Sequence, residues 1–393
     1  MDIPIVVATF NRPYSLKRIL SSLDASAYPI PVKLYISIDS GGDEETLQIA
    51  KDYTWAHGIK EVIHHNENLG LRDHILFCSD LAFNHDAIIV LEDDLYVSPG
   101  FYLYTLQANQ FYNDDRQISG VSLYAHSYNE TAQLPFIPVI DDSDVFFMQV
   151  PSSWGQCWSK DQWKNYRTWY DQHKNEKPSI DHGIPQNVVN WPDSSWKKFC
   201  FRYLIESNTY FVYPRLSLTT NFGEPGIHFN KKLSFQQVPL LSTKKIFNLK
   251  KLSGSIPVYD SFCEISPLVI SKFLPFLQQY NYTVDLYGMK MPEHIKTEYV
   301  LTTKQCTQSL FSFGREFKPH EYNMIKNLAG NDIFFTHYQY CDKRIQDVHI
   351  SDNELYYFYK LRNYQIKRDI IVNKQNEYSA KQLLRLLIQK IKK

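Results

Sequence analysis

Apolar and polar positions alternate along the first 120 residues in a regular way. Residues 3–8 (Ile-Pro-Ile-Val-Val-Ala) form a short apolar run that predicts a buried strand, broken by Asn11-Arg12-Pro13. Leu16, Ile19, Leu20 and Leu23 then recur at helical spacing. Val32 to Ile38 predicts a second strand that ends in Asp39-Ser40-Gly41-Gly42, with a helix following from about residue 43 to 57. A third strand is expected at 60–65, a helix at 71–84, and a fourth, wholly apolar strand at 87–91 that runs into Glu92-Asp93-Asp94. Another helix is expected to begin near Ser98-Pro99.

Strands alternating with helices of this length predict βαβ units and a largely parallel sheet with helices on both faces. In such sheets ligands bind outside the carboxyl ends of the strands. Asn11-Arg12, Asp39 and Glu92-Asp93-Asp94 all fall at those ends, so three polar clusters converge on one edge. Beyond residue 120 the alternation fades. Residues 152–163 are rich in Trp, residues 171–190 are polar with Pro178, Gly183 and Pro185 and predict a loop, and Trp191-Pro192-Asp193-Ser194-Ser195-Trp196 precedes a helix to about 208. A Lys-rich stretch at 243–251 and Ser253-Gly254-Ser255 predict a linker, and 256–370 a smaller α/β region without a motif.

Composition narrows the function classes. The chain has 393 residues, 44% hydrophobic and 21% charged, as an ordered globular protein does. Lys plus Arg and Asp plus Glu both number 42, so no global positive field is available for nucleic acid. Tyr and Phe are abundant, which fits sugar-stacking surfaces and equally a compositional bias of the source. The six cysteines lie at least 35 residues apart with no C-x-x-C pair, so reduced core thiols are expected rather than a zinc site. No apolar run of about 18 residues is present and the N-terminus lacks a signal-peptide pattern, so a cytoplasmic location is expected. Residues 379–393 differ: Leu384, Leu387, Ile388 and Ile391 share one helical face, and Lys381, Arg385, Lys390, Lys392 and Lys393 come with no acid. Such a helix either lies peripherally on an anionic membrane or docks on its own domain.

Carboxylates clustered at a strand end can hold a hard cation such as Mn²⁺ or Mg²⁺, which in turn can bridge the phosphates of a nucleotide-sugar. The sequence here resembles the GT-A-fold glycosyltransferases (nucleotide-diphospho-sugar transferases), most specifically the N-acetylglucosaminyltransferase I group and its bacterial relatives. The resemblance rests on Ile36–Thr46, Val90–Pro99, Trp154-Gly155 with Trp158, and Leu218–Gly223 followed by Gly226 and His228. It covers roughly residues 1–230 and implies a domain over 1–240, with a nucleotide-binding half (1–120) and an acceptor half (121–240).

The resemblance also implies roles. Asp39 would accept from the uracil N3–H, or cap the helix at 43–57, or both. Asn11, Arg12 and Arg72 would face the nucleotide, Glu92 and Asp93 would lie near the metal, ribose or sugar, and Asp94 with His228 would bind the metal. An inverting transferase needs one general base for the acceptor hydroxyl. The family's base lies in a Trp-Asp-Asp-Trp segment, and the matching stretch here holds only Asp193; Asp161 and Glu206 are the fallbacks.

The function implied is an inverting, metal-dependent transfer from a UDP-sugar, with UDP-GlcNAc favoured, to a glycan or lipid-linked acceptor in surface polysaccharide synthesis. Two other classes remain. A nucleotidyltransferase would want a glycine-rich loop after the first strand, where this chain has Thr9-Phe10-Asn11-Arg12-Pro13. A non-catalytic glycan-binding protein would not need Glu92-Asp93-Asp94.

Overall fold

The structure is a computed structural model and describes residues 1–223, 237–243 and 246–344. His228, the tail at 379–393 and the end of the 256–370 region lie outside the described residues. The first half runs β1 (Ile5–Thr9), α1 (Pro13–Asp24), β2 (Leu34–Ile38), α2 (Glu44–Asp52), β3 (Lys60–His64), α3 (Gly70–Asp80), β4 (Ala87–Glu92), β5 (Leu95–Val97) and α4 (Phe101–Tyr112). The second runs β6 (Ile118–Ser122), the short pair β7 (Tyr128–Asn129) and β8 (Leu134–Pro135), β9 (Val145–Met148), β10 (Gln156–Ser159), α5 (Lys160–His173), α6 (Gln186–Val189), α7 (Trp196–Glu206), β11 (Tyr210–Pro214) and β12 (Thr219–Asn221). The last part runs β13 (Val258–Tyr259), α8 (Pro267–Phe273), β14 (Tyr282–Asp285), β15 (Tyr299–Thr302), β16 (Phe311–Phe313), α9 (Glu321–Ile325) and β17 (Ile333–His337).

Nine strands form one mixed sheet in the order β13-β9-β11-β6-β10-β4-β1-β2-β3. β1 pairs in parallel with both β2 and β4, and β2 with β3, while β10 runs antiparallel between β4 and β6. The path β1→β2→β3 steps one way across the sheet and β3→β4 steps back. Right-handed crossovers therefore place α1 and α2 on one face and α3 on the other. The packing agrees: α1 meets α2, and α3 and α5 both meet α7. This is a mixed α/β sheet with helices on both faces, as the alternation predicts for its first half and as the resemblance implies.

Local causes are readable. α1 opens on Pro13 and buries Leu16, Ile19, Leu20 and Leu23. α2 is capped by Asp43, whose carboxylate accepts from Thr46 N at 2.6 Å. α5 carries a capping box from Ser159 and Gln162. The helix expected at 43–57 stops at Asp52, because Tyr53 turns extended and Trp55 Nε1 donates to Val32 O at 2.7 Å. The helix expected near residue 98 begins at Phe101, since Leu95–Val97 pair antiparallel with Thr219–Asn221 as a small ribbon. The polar stretch 171–190 is not all loop: it holds α6 and a 3₁₀ turn at Ile180–His182.

The expected linker does not leave the sheet. Asp144 N donates to Asn248 O at 2.9 Å and Asn248 N donates to Asp144 Oδ2 at 2.8 Å, Phe247 packs edge-on against Tyr104, and Tyr112 Oη donates to Lys250 O at 2.8 Å. β13 then joins the large sheet beside β9. Residues 282–337 build a second sheet, β14-β15-β17-β16, and Met1–Gln346 form one compact unit.

Candidate active site

The carboxyl ends of β1, β2 and β4 meet at one edge, and the residues there are tied to one another. Thr9 Oγ1, at the end of β1, donates to Asp93 Oδ2 at 2.7 Å. Arg12 Nη1 lies 3.2 Å from Asp93 Oδ1 and 3.3 Å from Asp94 Oδ2. Asp94 Oδ1 is buried and has no hydrogen-bond partner. Asp93 and Asp94 thus share one guanidinium, with Glu92 adjacent and outside its contacts. Burial, then Asp94 and Asp93, push the Glu92 carboxyl well above the usual carboxylate range. Burial and Asp94 push Asp93 up to about 6 against the pull of Arg12 and Thr9.

Asp39 ends β2 and is buried. Its Oδ1 accepts from Ser40 N at 2.9 Å and Leu69 N at 2.8 Å, and its Oδ2 from Gly70 N at 2.9 Å. The helix it caps is therefore α3, thirty residues on, and not the helix at 44–52, which Asp43 caps. Behind it Ser37 Oγ lies 2.8 Å from His74 Nε2 and 3.1 Å from His65 Nε2. Burial lowers both imidazoles, His74 to about 4, so this pair is neutral near pH 7. Asn11 is exposed beside Arg12. The loops after β1 and β2 touch: a Cβ on Gly42 would sit 2.1 Å from Phe10 O, so only glycine fits.

The acceptor half closes on this edge. β10 is antiparallel to β4 with Gln156 opposite Val90, so Trp154-Gly155 emerges at the acidic end. Trp154 and Trp191 bracket Lys197, whose Nζ is 5.6 Å and 5.1 Å from their ring centroids. Lys197 also draws Glu92 downward, against burial and the neighbouring acids. Lys197 is a candidate site residue that the sequence does not single out. Trp158 and Trp196 are buried in the core, Trp158 wedged between Trp163 and Phe211.

Arg72 does not reach into the acidic edge. Its Nη1 donates to Asp193 O at 3.1 Å, so it holds the 191–196 loop. The Asp193 side chain is 81% exposed and pairs with Lys198 Nζ at 3.4 Å. The fallbacks lie elsewhere. Asp161 opens α5 beyond Ser159, which pairs with Ala87 at the amino end of β4, across the sheet from Glu92. Glu206 ends α7, roughly 15 Å along the helix from Trp196, with its oxygens bonded to Arg202 Nε and Trp169 Nε1. Phe222 N donates to Asp94 O and Val238 N to Thr220 Oγ1, so these two described residues are held at the β5–β12 ribbon beside Asp94.

Among the described residues no group of three or more His, Cys, Asp or Glu side chains is arranged to hold a metal ion. What fits a hard cation is narrower: the orphaned Asp94 Oδ1, in a cluster short of positive charge. Magnesium-like ions accept such sites, taking one or two carboxylates and filling the rest with phosphate oxygens and water.

Residues 5–185 match the family Glycosyl transferase family 2. The stretch that is similar to this glycosyltransferase family contains β1 to β4, the acid triplet and α5. The narrower N-acetylglucosaminyltransferase I group is not singled out by the match. No curated protein matches the chain. Among solved structures, S. aureus TarS 1–349 in complex with UDP-GlcNAc is 13% identical with a TM-score of 0.36, covering 58% of this chain and 60% of that one. GalNAc-T7 with UDP, GalNAc and Mn²⁺ is 13% identical with a TM-score of 0.39, covering 55% and 42%. A Pyrobaculum calidifontis mannosyltransferase with GDP-Man and Mn²⁺ is 10% identical with a TM-score of 0.30, covering 40% and 44%. The chain thus aligns with at most 60% of these structures' lengths. No helix among the described residues is long and apolar enough to cross a membrane.

Proposed function

We propose that the glycosyltransferase domain transfers a sugar from a UDP-sugar to a glycan or lipid-linked acceptor, with inversion and with a divalent cation. The observation that carries this reading is the unpartnered, buried Asp94 Oδ1 in an acid triplet that ends the central strand. Asp94 would hold Mn²⁺ or Mg²⁺ through that oxygen. A cation bound there neutralises charge that develops on the departing diphosphate.

The remaining chemistry belongs to the chain. Arg12 fixes Asp93 and Asp94 relative to β1 and offsets part of their charge. Asp39 accepts from the uracil N3–H through lone pairs left over from the α3 cap, and Asn11 borders the same nucleotide. Lys197, clamped between Trp154 and Trp191, faces the donor phosphates from the acceptor side. The two indoles give the acceptor sugar apolar faces to stack on. Asp193, on the loop that Arg72 holds, takes the proton from the acceptor hydroxyl as it attacks the anomeric carbon. UDP-GlcNAc is the first donor to try, by the narrower resemblance.

The test is a thermal-shift panel of nucleotide-sugars with and without Mn²⁺. A bound ligand raises stability with the logarithm of its concentration over Kd. A UDP-sugar is expected to stabilise the protein in a Mn²⁺-dependent way that Asp94→Ala abolishes. Indifference to every UDP species, or an undiminished response in Asp94→Ala, overturns the reading.

A further inference from the structure

Cys306 and Cys341 stand 35 residues apart in sequence, and the second sheet brings them face to face. They form an isolated antiparallel bridge just beyond β15 and β17. Thr307 N donates to Tyr340 O at 3.0 Å and Asp342 N to Gln305 O at 2.9 Å. The hydrogen bonds therefore flank the pair, which makes Cys306–Cys341 a non-hydrogen-bonded cross-strand pair. In such pairs the Cα atoms are about 4.5 Å apart and the side chains are at their closest. A disulfide wants Cα atoms roughly 4.4–6.8 Å apart. The backbone is thus already set for the bond.

The surroundings agree. Both cysteines are free thiols. Cys78, Cys157, Cys200 and Cys263 are buried in the main core, whereas Cys306 is half-buried and packs with Cys341 in a small separate cluster with Ile295 and Val300. Cys306 Sγ donates to Lys304 O at 3.2 Å and Cys341 Sγ to Asp342 O at 3.4 Å; the neighbouring Cys341 thiol draws Cys306 down, against burial, and the same contact holds Cys341 up. The more exposed sulfur is thus the one favoured as thiolate, the form that reacts.

We propose that Cys306 and Cys341 are a redox-modification site that closes a reversible cross-strand disulfide under peroxide. The Cys306 thiolate attacks a peroxide oxygen, the O–O bond breaks, and hydroxide leaves to take up a proton, giving a sulfenic acid. The Cys341 thiolate then attacks the Cys306 sulfur and expels a second hydroxide, which also takes up a proton. Overall two thiols and one H₂O₂ give one disulfide and two waters. A dithiol reductant reverses the bond by exchange. The bond encloses β16, α9 and β17, and pins the second sheet just ahead of residue 345.

The experiment treats the full chain with a few equivalents of H₂O₂, quenches with an alkylating agent, and reads intact mass, non-reducing peptide maps and melting temperature. The expected result is two fewer alkyl groups on the quenched chain, the disulfide itself having lost two hydrogen atoms, a Cys306–Cys341 linked peptide, and a melting temperature higher by about 5 °C that dithiothreitol reverses. Cys306→Ser removes all three changes, and the map of the unsubstituted chain stands even if Cys341→Ser fails to fold. Stable sulfinic acid at Cys306, a cross-link joining other cysteines, or two thiols still alkylated at these positions overturns the proposal.

Discussion

At the end of β4, Asp93 and Asp94 share the Arg12 guanidinium beside Glu92, and one oxygen of Asp94 is left buried and unpartnered. Around β14 and β15 the buried acids mostly have ammonium groups of their own. Asp285 Oδ2 lies 2.9 Å from Lys304 Nζ, both groups are almost wholly buried, and Lys304 also donates to Lys290 O. Lys290 in turn pairs with Asp260 and donates to Val284 O. A buried charge is costly unless paired and hydrogen-bonded. In the second region the pairing is in place for Asp285 and Asp260, although Asp285 Oδ2 and Glu264 Oε2 lack a hydrogen bond, and so it reads as scaffold. At the β4 edge three acids crowd round one guanidinium, and a cluster that holds a charge deficit is a place for a ligand to complete. Charge balance, rather than burial alone, is what separates the two regions.

Asp94→Ala tests that contrast most severely. It removes the unpartnered oxygen and one of three repelling acids, so the fold should survive and metal-dependent transfer should not. A loss of about 1000-fold or more in kcat/KM is expected, about 4 kcal/mol, with the melting temperature of the free protein unchanged or raised. Steady-state kinetics with Mn²⁺ beside a thermal melt reads both. Retained activity, or collapse of the fold, would break the distinction between the two regions.

The mirror experiment is Asp285→Asn. It strands the Lys304 ammonium at a site with no solvent, which costs about 3–5 kcal/mol. Urea unfolding should show that loss. The KM for donor should stay as it was, since β14 takes no part in the β4 edge. A small stability change would mean that the pairing around Lys304 is not what holds the second sheet.

Much of this contrast is legible in the sequence on one side only. The β4 edge announces itself because Ile88 to Leu91 is an unbroken apolar run and three acids follow it. Strands β1 and β2 have the same clarity, and their ends carry Thr9 and Asp39. The second sheet is not legible: β16 is three residues long, β13 two, and their pairing depends on register across 20 or more residues. Contacts between halves are equally hidden. Lys197 gains meaning only once the antiparallel entry of β10 puts Trp154 at the acidic edge. The partner that Asp39 caps is likewise set by where β3 delivers the chain, not by the residues that follow Asp39.

Glu321, like Glu264, departs from that pattern within the second region, and it sharpens the comparison. It is buried, its Oε2 has no hydrogen-bond partner, and burial pushes its carboxyl up to about 8. The neighbouring His320, 3.7 Å away, is pushed down to about 3 by burial and is neutral, so no charge pair forms. With its value raised in the folded state, Glu321 keeps its proton on folding while the unfolded chain has lost it. Stability then falls as pH rises from about 4.5 to about 8, by up to about 1.4 kcal/mol per unit. Glu321→Gln should flatten that slope and gain on the parent toward pH 8. Parallel stability curves for the two proteins would show that the carboxyl titrates normally.

The smallest expected effect lies at the seam between the two halves of the active site. Lys197 contributes positive charge from the acceptor side while Arg12 supplies it from the nucleotide side. Its ammonium is held by two indole faces rather than by a carboxylate, so it remains available to a phosphate oxygen. Lys197→Ala should raise the KM for the UDP-sugar about tenfold, about 1.4 kcal/mol, without lowering the melting temperature. Lys197→Arg should recover part of that loss, since a guanidinium stacks on the same rings. The loss should shrink as ionic strength rises, because screening weakens the parent's own contact. If Lys197→Ala instead lowers kcat at constant KM, the ammonium acts on the departing diphosphate and not on the bound donor. If neither parameter moves, Lys197 belongs with Lys304 as scaffold, and the charge deficit at β4 is met by the cation alone.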